Sequence, residues 1–571
     1  MSGEPNSFDI DVDSILKRYA LADRRDYQVD CIRDTAEGLR QGNDVLIDLP
    51  TGTGKTVIYS PVVAELSEKG VRTLVLTATK RAQKWVGQEI KRFTGGKETP
   101  LVFGIQEYHC PILKANAQNW CCGELKETHC KPTGIRCGVI LAEEDYKNSN
   151  LVVTNFSKFL LATTDSKHDL IVLDDSHSFE NTKEQAYQIS LQFALVRQAY
   201  EAQAENSSIR VFLENFLNLI SEISERCVNP GEKEGPIPAD YLSQLARLLP
   251  DSEEEAIEKE IRKLSGRDGS VVTKVFYFVR RCKAATRYQF YVQKDFYDPD
   301  DWDSSELVSK NDQFVDFVVK RRFGKARVIF ATATSGEAIS HATACTLKAY
   351  DSTNLSVTPK NRSSYPEIQG WFGKLRILVV EDIGDTRQPN SFERAMSITV
   401  ETLKNRTERE LVLFKNYRDQ RRANEILSKV FPQSKLFFFD NSIDDGDVLE
   451  ELANQSQISL ASASSTLWEG INIKDLRIAI IVSPPFNRPQ VGQKMNYPIS
   501  ERKMLVRLQQ GIGRIIRSPK DWGVALLLDS RFDNYLNKRA FNPMLKEQVE
   551  SLKADEVVSR VNELFETWGR Q

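Results

Sequence analysis

The stretch from residue 44 to residue 56 reads DVLIDLPTGTGKT, a pattern that indicates an α/β nucleotide-binding fold. Its apolar run predicts a buried strand, and a Gly-Thr-Gly loop then leads through Lys-Thr into a helical segment, as in a Walker A loop. In such a loop the backbone N–H groups point at phosphates, the lysine supplies positive charge and the threonine hydroxyl can bind Mg²⁺. A chance Gly-Lys-Thr loop is the alternative, because Leu49 replaces the first glycine of the consensus. The expected nucleotide-binding residues are Thr51, Gly52, Thr53, Gly54, Lys55 and Thr56.

Residues 170 to 180 read LIVLDDSHSFE, an apolar strand that ends in two acids. Carboxylates at the end of such a strand hold Mg²⁺ and polarise the attacking water in nucleotide hydrolases. We expect Asp174 to bind Mg²⁺ together with Thr56, and Asp175 to position the water. Asp175 stands where these hydrolases usually have Glu, so its carboxylate is one methylene shorter and turnover could be slower. An acidic turn after a core strand is the alternative interpretation.

Residues 510 to 518 read QGIGRIIRS, which places Gln510, Arg514 and Arg517 at the spacing Q-x-x-G-R-x-x-R. On a helix, Arg514 and Arg517 are three residues apart and share a face. The sequence therefore predicts a helix from which both arginines reach a γ-phosphate from a second domain. A solvated basic helix is the alternative, and it loses weight because the three motifs follow one another in the order that a two-domain ATPase requires.

These motifs together resemble superfamily 2 helicases, and more closely the XPD and DinG group of iron–sulfur helicases. The similarity runs over nearly the whole chain. Arg25, Tyr27 and Gln28 in RRDYQ are similar to the family's adenine-recognising element. The other similar segments are VLTATKRAQKW (75–85), which resembles a DNA-backbone contact, LVVTNFSKFL (151–160), VIFATATS (328–335), ELVLFKNYRDQRRANEIL (410–427), SSTLWEGINIKDLRIAIIVSPPF (464–486) and DWGVALLLDSRF (521–532).

The resemblance implies an α/β protein with two RecA-like P-loop motor domains, and with an iron–sulfur cluster insertion and a mostly helical arch insertion in the first motor. Within the arch, alternating Tyr288, Phe290 and Val292 predict a strand or a core patch. The expected domain ranges are 1–94, 149–182 and 328–370 for the first motor, 95–148 for the iron–sulfur domain, 183–327 for the arch and 371–571 for the second motor.

Five of the nine cysteines lie between residues 110 and 137. A structural zinc site usually shows C-x₂₋₄-C pairs, which this segment lacks, whereas wide irregular gaps suit a [4Fe–4S] cluster. The spacing alone leaves an iron–sulfur cluster, zinc and ordinary cysteines open, and the position within the resembling motifs favours the cluster. One cysteine of the adjacent pair is expected to be spare, and the sequence does not say which. The expected ligands are Cys110, Cys121, Cys122, Cys130 and Cys137.

Composition limits the partners of this chain. Its 571 residues include 77 basic and 80 acidic side chains, a net charge of −3, so nucleic-acid binding needs a local basic surface. The N-terminus has no apolar h-region and no run approaches the ~18 apolar residues of a membrane span. We therefore expect no membrane partner and a location in the cytoplasm or on the nucleoid, where clustered cysteines bind metal more often than they form disulfides.

The resemblance implies an ATP-dependent helicase that moves 5′ to 3′ along single-stranded DNA and unwinds duplexes in repair or replication. Its implied cofactors are ATP, Mg²⁺ and a [4Fe–4S] cluster, its partners are single-stranded DNA and duplex junctions, and it is expected to be a monomer. Two alternatives stay open. A helicase that removes RNA:DNA hybrids, of the DinG kind, is suggested by Trp468-Glu469-Gly470, and a weakly hydrolysing ATP-dependent nucleic-acid clamp is suggested by Asp175.

Overall fold

A computed structural model describes residues 8, 10–13, 15, 25–112, 115–116, 130, 133–134, 136–161, 167–228, 234–264, 266–294, 305–332, 355–358, 360, 365–404, 406–439, 446–463, 468, 473–486, 497–537 and 541–569. Across these residues, no helix is both long enough and apolar enough to span a membrane. Their strands form two seven-stranded sheets, one four-stranded sheet and one two-stranded pair.

The strands alternate with helices along most of the chain, which is the order of a doubly wound α/β fold. The strands are β1 (Asp44–Asp48), β2 (Thr73–Thr77), β3 (Leu101–Val102), β4 (His109–Cys110), β5 (Ala115–Asn116), β6 (Leu151–Asn155), β7 (Leu170–Asp174), β8 (Ile189–Gln192), β9 (Glu234–Pro236), β10 (Gln289–Gln293), β11 (Glu306–Lys310), β12 (Arg327–Thr332), β13 (Leu355–Thr358), β14 (Leu375–Val380), β15 (Arg409–Phe414), β16 (Leu436–Phe438), β17 (Ile458–Ser462), β18 (Leu476–Ile481), β19 (Gly523–Leu527) and β20 (Val549–Leu552).

The helices connect these strands and cover the sheets. They are α1 (Asp26–Arg40), α2 (Lys55–Glu68), α3 (Lys80–Phe93), α4 (Gly138–Asn148), α5 (Phe156–Leu161), α6 (Ser176–Gln185), α7 (Phe193–Glu201), α8 (Ser208–Arg226), α9 (Ala239–Arg247), α10 (Asp251–Ile261), α11 (Gly266–Lys283), α12 (Asp312–Phe323), α13 (Pro366–Gln369), α14 (Pro389–Leu403), α15 (Tyr417–Leu427), α16 (Gly446–Gln455), α17 (Tyr497–Gly513), α18 (Phe532–Leu536), α19 (Pro543–Lys546) and α20 (Val557–Gly569).

The first seven-stranded sheet has the order β13-β1-β12-β7-β2-β6-β3, and its paired strands are parallel. Both of its faces are covered, since Val45 and Ile47 of β1 pack into one buried cluster and Leu46 packs into the other. A strand that is buried on both faces needs apolar residues at successive positions. This is why β1 reads as a continuous apolar run.

The second seven-stranded sheet has the order β16-β17-β15-β18-β19-β14-β20 and is also parallel. Leu411 and Leu413 of β15 pack on one face and Val412 on the other. The chain passes from the first core to the second between Ile368 and Trp371. The predicted α/β architecture with two motor domains is confirmed.

Between β7 and β12 the chain builds a separate unit, which we call the arch. Helices α7 to α11 share one buried cluster with an antiparallel sheet of order β8-β11-β10-β9, and this cluster extends from Leu191 to Leu307. Phe290 and Val292 are buried on β10, so the alternating pattern predicted this strand correctly. The other three strands were not predicted, because their antiparallel pairing joins segments that are distant in the chain. Helix α12 packs on the first motor instead, where Phe323 enters the motor core.

Candidate nucleotide site between the motor domains

Three adjacent strands bring the predicted motifs of the first motor together. β12 lies between β1 and β7, with Thr332 opposite Asp48 and Ala331 opposite Asp174. The Walker A loop follows β1, and the two predicted acids stand at the end of β7. Because parallel strands end at one edge of a sheet, the loop and the acids lie side by side, at the edge where open α/β sheets bind ligands.

The Walker A loop is a tight turn built on two glycines. Gly52 and Gly54 have φ angles of 82° and 83°, a left-handed conformation that side chains disfavour, and α2 begins directly afterwards at Lys55. The Lys55 ammonium donates to the carbonyl oxygens of Leu49 and Pro50 at 3.2 Å each. Burial lowers the pKa of Lys55, and three neighbouring aspartates oppose that shift. The loop and the N-terminus of α2 therefore form a positive cradle suited to phosphate.

Asp174 is the buried acid of this cradle. Burial and the negative charge of Asp175 raise the pKa of the Asp174 carboxyl to about 7, while the positive charge of Lys55 lowers it. Thr56 is buried on the first turn of α2, and Tyr59, one turn further along, interacts electrostatically with both Thr56 and Asp174. A carboxylate and a hydroxyl are hard oxygen donors, and a divalent cation would favour the ionised form of Asp174. Thr56 and Asp174 therefore fit a Mg²⁺ site.

Asp175 is held in a strained backbone conformation. Its φ of 57° and ψ of 56° lie in the left-handed region, directly before α6 begins at Ser176. Asp adopts this region more readily than most residues with a side chain, so the cost lies at the low end of the roughly 1–2 kcal/mol typical of it. Its charge acts on both Asp174 and Lys55, so its carboxylate lies close to the cradle. The assignment of Asp175 as the water-positioning residue stays a prediction.

The predicted adenine-recognising residues contact the Walker A loop. The Tyr27 hydroxyl and the Gln28 side-chain amide each donate to the Thr53 carbonyl oxygen at 2.8 Å. The Gln28 side-chain oxygen accepts from the Arg25 backbone N–H at 3.1 Å. The Arg25 guanidinium lies 5.2 Å from the Trp371 ring of the second motor. Tyr27 and Gln28 therefore stabilise the Walker A loop. Recognition of adenine by Arg25 and Gln28 stays a prediction.

The second motor touches the cradle at two points. A Cβ atom placed on Gly52 would lie 1.9 Å from the backbone carbonyl oxygen of Arg517, so the absence of a side chain at Gly52 permits this approach. The Gln510 side-chain nitrogen contacts the Nε2 atom of His177, which lies two residues beyond Asp175. The segment predicted to act across two domains thus reaches the Walker A loop and the acids of the first motor.

His177 connects three motifs, and the sequence interpretation assigned it no role. Its ring is buried, with Nε2 at the Gln510 amide nitrogen and Nδ1 3.4 Å from the Thr332 hydroxyl. An amide nitrogen can only donate, so Nε2 must accept and the proton of the neutral ring belongs on Nδ1, where it faces Thr332. The ring therefore links the ends of β7 and β12 to α17 of the second motor. Its position two residues after the paired acids was the available signal.

The predicted helix under the two arginines is wrong. Helix α17 ends at Gly513, and Arg514 and Arg517 follow it in an irregular segment. Gly511 and Gly513 lower the helix propensity here, and the last turn tightens, with the Arg514 N–H donating to Gly511 at 3.4 Å. Arg514 is buried and its Nε donates to the Trp468 carbonyl oxygen at 3.1 Å. The two arginines therefore do not share a helical face.

An acidic residue of the second motor lies among arginines from both motors. Arg81, on helix α3 that follows β2, forms an ion pair with Glu450 on α16. Partial burial lowers the pKa of the Arg517 guanidinium, and the charges of Glu450 and Asp521 raise it. The Arg517 backbone thus lies on the Walker A loop while its side chain has Glu450, Asp521 and Arg81 as charged neighbours. Its role, and that of Arg514, as γ-phosphate ligands stays a prediction.

Three of the clustered cysteines are described, and they are neighbours. Cys110 ends β4, Cys130 is buried and Cys137 directly precedes α4. Burial raises the pKa of the Cys130 thiol, and Cys137 and Cys110 raise it further. Thiols from three separate segments are therefore neighbours, and thiolates are the donors that an iron–sulfur cluster needs. In the described part of the chain no group of three or more ligands is arranged to hold a metal ion, and Cys121 and Cys122 lie outside that part.

Trp468, which prompted the RNA:DNA hybrid alternative, is a core residue. Its side chain is fully buried, and its indole N–H donates to the Arg507 carbonyl oxygen on α17 at 2.9 Å. Its ring also lies against Gly511. Trp468 therefore positions α17, while Glu469 and Gly470 lie outside the described residues.

Two family models match this chain. A model of the type III restriction enzyme res subunit matches residues 22–206, and a helicase C-terminal domain model matches residues 399–548. A probable ATP-dependent helicase of Methanocaldococcus jannaschii is 21% identical, over 88% of this chain and 91% of its own. An ATP-dependent DNA helicase of Haemophilus influenzae is 30% identical over 15% of this chain and 16% of its own.

Two solved structures share the architecture. A structure named as an XPD helicase matches with a TM-score of 0.64 at 16% identity, over 93% of this chain and 100% of its own. The Xpd4 structure from S. tokodaii matches with a TM-score of 0.54 at 11% identity, over 92% of this chain and 100% of its own. Similarity at this level of identity concerns the fold.

Proposed function

Because this chain belongs to the XPD/DinG-like superfamily 2 helicases, we propose that it uses ATP to move 5′ to 3′ along single-stranded DNA and unwinds duplexes in repair or replication. The observation that supports this most directly is the contact of the second motor with the cradle. Residues of both motors meet at one nucleotide site, so hydrolysis and relative movement of the motors can be coupled.

Within the cradle, each side chain of the first motor has a distinct task. Lys55 exchanges the Leu49 and Pro50 carbonyls for phosphate oxygens, which are stronger partners because both groups are charged. Thr56 and Asp174 would hold Mg²⁺, which would neutralise charge on the phosphates. The cradle thereby fixes the phosphates against the end of β7, where Asp175 orients the attacking water.

The contacts of Gln510 and Arg517 transmit the state of the cradle to the second motor. When the cleft is closed, Gln510 holds His177 and the Arg517 backbone seats on Gly52. When it opens, both contacts break together because α17 and the segment after it move with the second motor. Opening of the cleft also affects Thr332, because His177 contacts the Thr332 hydroxyl. Alternation between the two states is the step that moves DNA.

We place a [4Fe–4S] cluster on Cys110, Cys130, Cys137 and one of Cys121 and Cys122. Three of these cysteines come from separate segments, and the thiols of Cys110 and Cys137 act electrostatically on that of Cys130. A cluster held by these residues would cross-link a segment of about forty residues that could not build a core of its own. Visible absorption and iron content of protein purified without oxygen test this assignment, and protein that is colourless and free of iron would overturn it.

The helicase proposal is tested with duplexes that carry one single-stranded tail. We expect single-stranded DNA to stimulate hydrolysis, and a 5′-tailed duplex to be unwound while a 3′-tailed duplex of the same sequence is not. Lys55→Ala protein serves as the inactive control. A hydrolysis rate that single-stranded DNA does not change would contradict the proposed motor activity. Preferential unwinding of the 3′-tailed duplex would contradict only the proposed 5′-to-3′ polarity.

The nucleic-acid clamp alternative draws on the short, strained Asp175. A clamp would bind ATP and DNA but show a slow single-turnover hydrolysis rate that DNA leaves unchanged. Asp175→Glu distinguishes the clamp from the motor, because it restores the usual side chain. It should increase the hydrolysis rate if the shorter Asp175 carboxylate is what makes hydrolysis slow. Unwinding of an R-loop beside a matched DNA duplex tests the RNA:DNA hybrid alternative in the same preparation.

A further inference from the structure

A second cavity lies at the joint between the arch and the first motor. Its volume is about 780 Å³, within the range of pockets that hold small ligands. Its walls come from α5, α6 and the segment after α6 on the motor side, and from α11 on the arch side. It shares no lining residue with the Walker A loop, the acids of β7 or the second motor. It is therefore separate from the nucleotide cradle.

The charged residues that line this cavity are all basic, namely Lys274, Arg280 and Arg281. The whole chain carries a net charge of −3, so this is a local concentration of positive charge. Arg280 is held by Glu254 at 3.1 Å, and Arg281 donates to the Ser309 hydroxyl at 2.9 Å. Lys274 is exposed and takes part in none of the ion pairs found among the described residues. The cavity therefore offers an uncompensated charge to an anion.

Three tyrosines, Tyr187, Tyr277 and Tyr288, line the same cavity. Tyr277 lies three residues after Lys274 and four before Arg281, so the three side chains share one face of α11. The Tyr277 side chain is 39% exposed, which leaves a ring face open to a ligand. The Arg281 guanidinium stacks 4.9 Å from the centre of the Tyr288 ring, which holds both side chains in place. The wall therefore combines aromatic faces with positive charge.

The third ring belongs to a strained residue at the joint itself. Tyr187 has a φ of 62°, which is unusual for a residue with a side chain, and its hydroxyl donates to the Leu160 carbonyl oxygen at 2.5 Å. It lies between the end of α6 and the start of β8, where the chain leaves the motor for the arch. Strain of this kind persists where the surrounding structure enforces it, and it clusters at functional sites.

We propose that this cavity binds a nucleoside phosphate, with its base on Tyr277 and its phosphate at Lys274 and Arg281. Stacking on aromatic rings beside basic side chains is the chemistry by which proteins hold single nucleotides without reading their sequence. The ligand has two sources. It is either one nucleotide of a bound single strand, in which case the inference rests on the proposed function, or a free mononucleotide at a regulatory site.

Two probes distinguish these sources with the full-length chain. Fluorescence anisotropy with labelled (dT)₂₀ measures strand binding, and equilibrium dialysis with dTMP, which lacks the β- and γ-phosphates that a Walker A loop holds, measures mononucleotide binding. The variants are Tyr277→Ala and Lys274→Gln. Tyr277→Phe keeps the ring, and Lys259→Gln makes the same charge change at an exposed arch position outside the cavity.

We expect Tyr277→Ala and Lys274→Gln to weaken binding about tenfold each, while Tyr277→Phe and Lys259→Gln bind like the wild type. The source is the strand if (dT)₂₀ shows this pattern, and a free nucleotide if dTMP alone shows it. Affinities within twofold of the wild type for both probes would overturn the proposal. DNA-stimulated hydrolysis by the wild type reports on the proposed function separately, so each proposal can fail without the other.

Discussion

A methyl group on Gly52 tests whether contact between the motors drives hydrolysis. A Cβ atom there would lie 1.9 Å from the Arg517 carbonyl oxygen, whereas ordinary contact begins at 3.4 Å. The obstructing atom belongs to backbone, so the second motor must retreat by about 1.5 Å. A displacement of about 1 Å at a catalytic site can cost about a hundredfold in rate. We expect Gly52→Ala to lower the DNA-stimulated kcat at least about a hundredfold.

Gly54→Ala is the matched control. Its φ of 83° equals that of Gly52 within a degree, so both variants impose the same backbone strain on the loop. The new Cβ would lie 2.6 Å from the Gln28 amide nitrogen, the end of a flexible side chain in the same motor. This variant should lose the Gln28 contact with Thr53, at a cost of about 1 kcal/mol or roughly fivefold in nucleotide affinity, without holding the motors apart.

The assay combines single-turnover hydrolysis, with and without (dT)₂₀, and energy transfer between one dye on each motor. Gly52→Ala should increase the distance between the dyes in the presence of ATP, and Gly54→Ala should not. An unchanged distance in Gly52→Ala, with equal losses of kcat in both variants, would refute the reasoning, because backbone strain alone would then explain the effect.

Lys55→Ala should abolish hydrolysis while the melting temperature stays within a few degrees, because it removes phosphate charge and no core packing; unfolding of the variant would contradict this. Glu410 is fully buried on β15, and burial raises its pKa from 4.5 to about 9. It is neutral in the native state and ionised in the unfolded state between these values, so the free energy of unfolding should fall by up to about 1.4 kcal/mol per pH unit as pH rises through this range. Glu410→Gln should flatten that slope in urea titrations at pH 6 and 8, and an unchanged slope would exclude Glu410 as its source. Cys137→Ser should remove visible absorption and unwinding while DNA-independent hydrolysis survives, and unwinding by the colourless variant would argue against a cluster that supports strand separation.

Local patterns were sufficient for the elements that carry the cradle. The apolar runs before the Walker A loop and before Asp174 predicted β1 and β7 because strands of a covered parallel sheet are buried on both faces. The glycines of the loop were equally readable, since a turn with positive φ at two positions permits little else. The order of the motifs along the chain then indicated two motor domains.

The errors and omissions concern contacts between distant segments. The spacing of Arg514 and Arg517 predicted a shared helical face, but burial of Arg514 against Trp468 and the glycines before it end the helix first. The arch sequence shows mainly helical periodicity, so three of its four strands were not predicted. The pairing of these strands joins segments far apart in the chain. The cavity at its base could not be predicted, because its walls come from elements about a hundred residues apart.

The sequence by itself determined the Walker A loop, the two acids at the end of β7 and the order of the two motors, because each depends on backbone conformation and burial within a few residues. Only the tertiary structure decided that His177 joins Thr332 to Gln510, that Gly52 accommodates the Arg517 backbone, and that Cys110, Cys130 and Cys137 are neighbours. These contacts depend on how separate elements pack. The spacing of residues along the sequence does not predict which residue hundreds of positions away a side chain will contact.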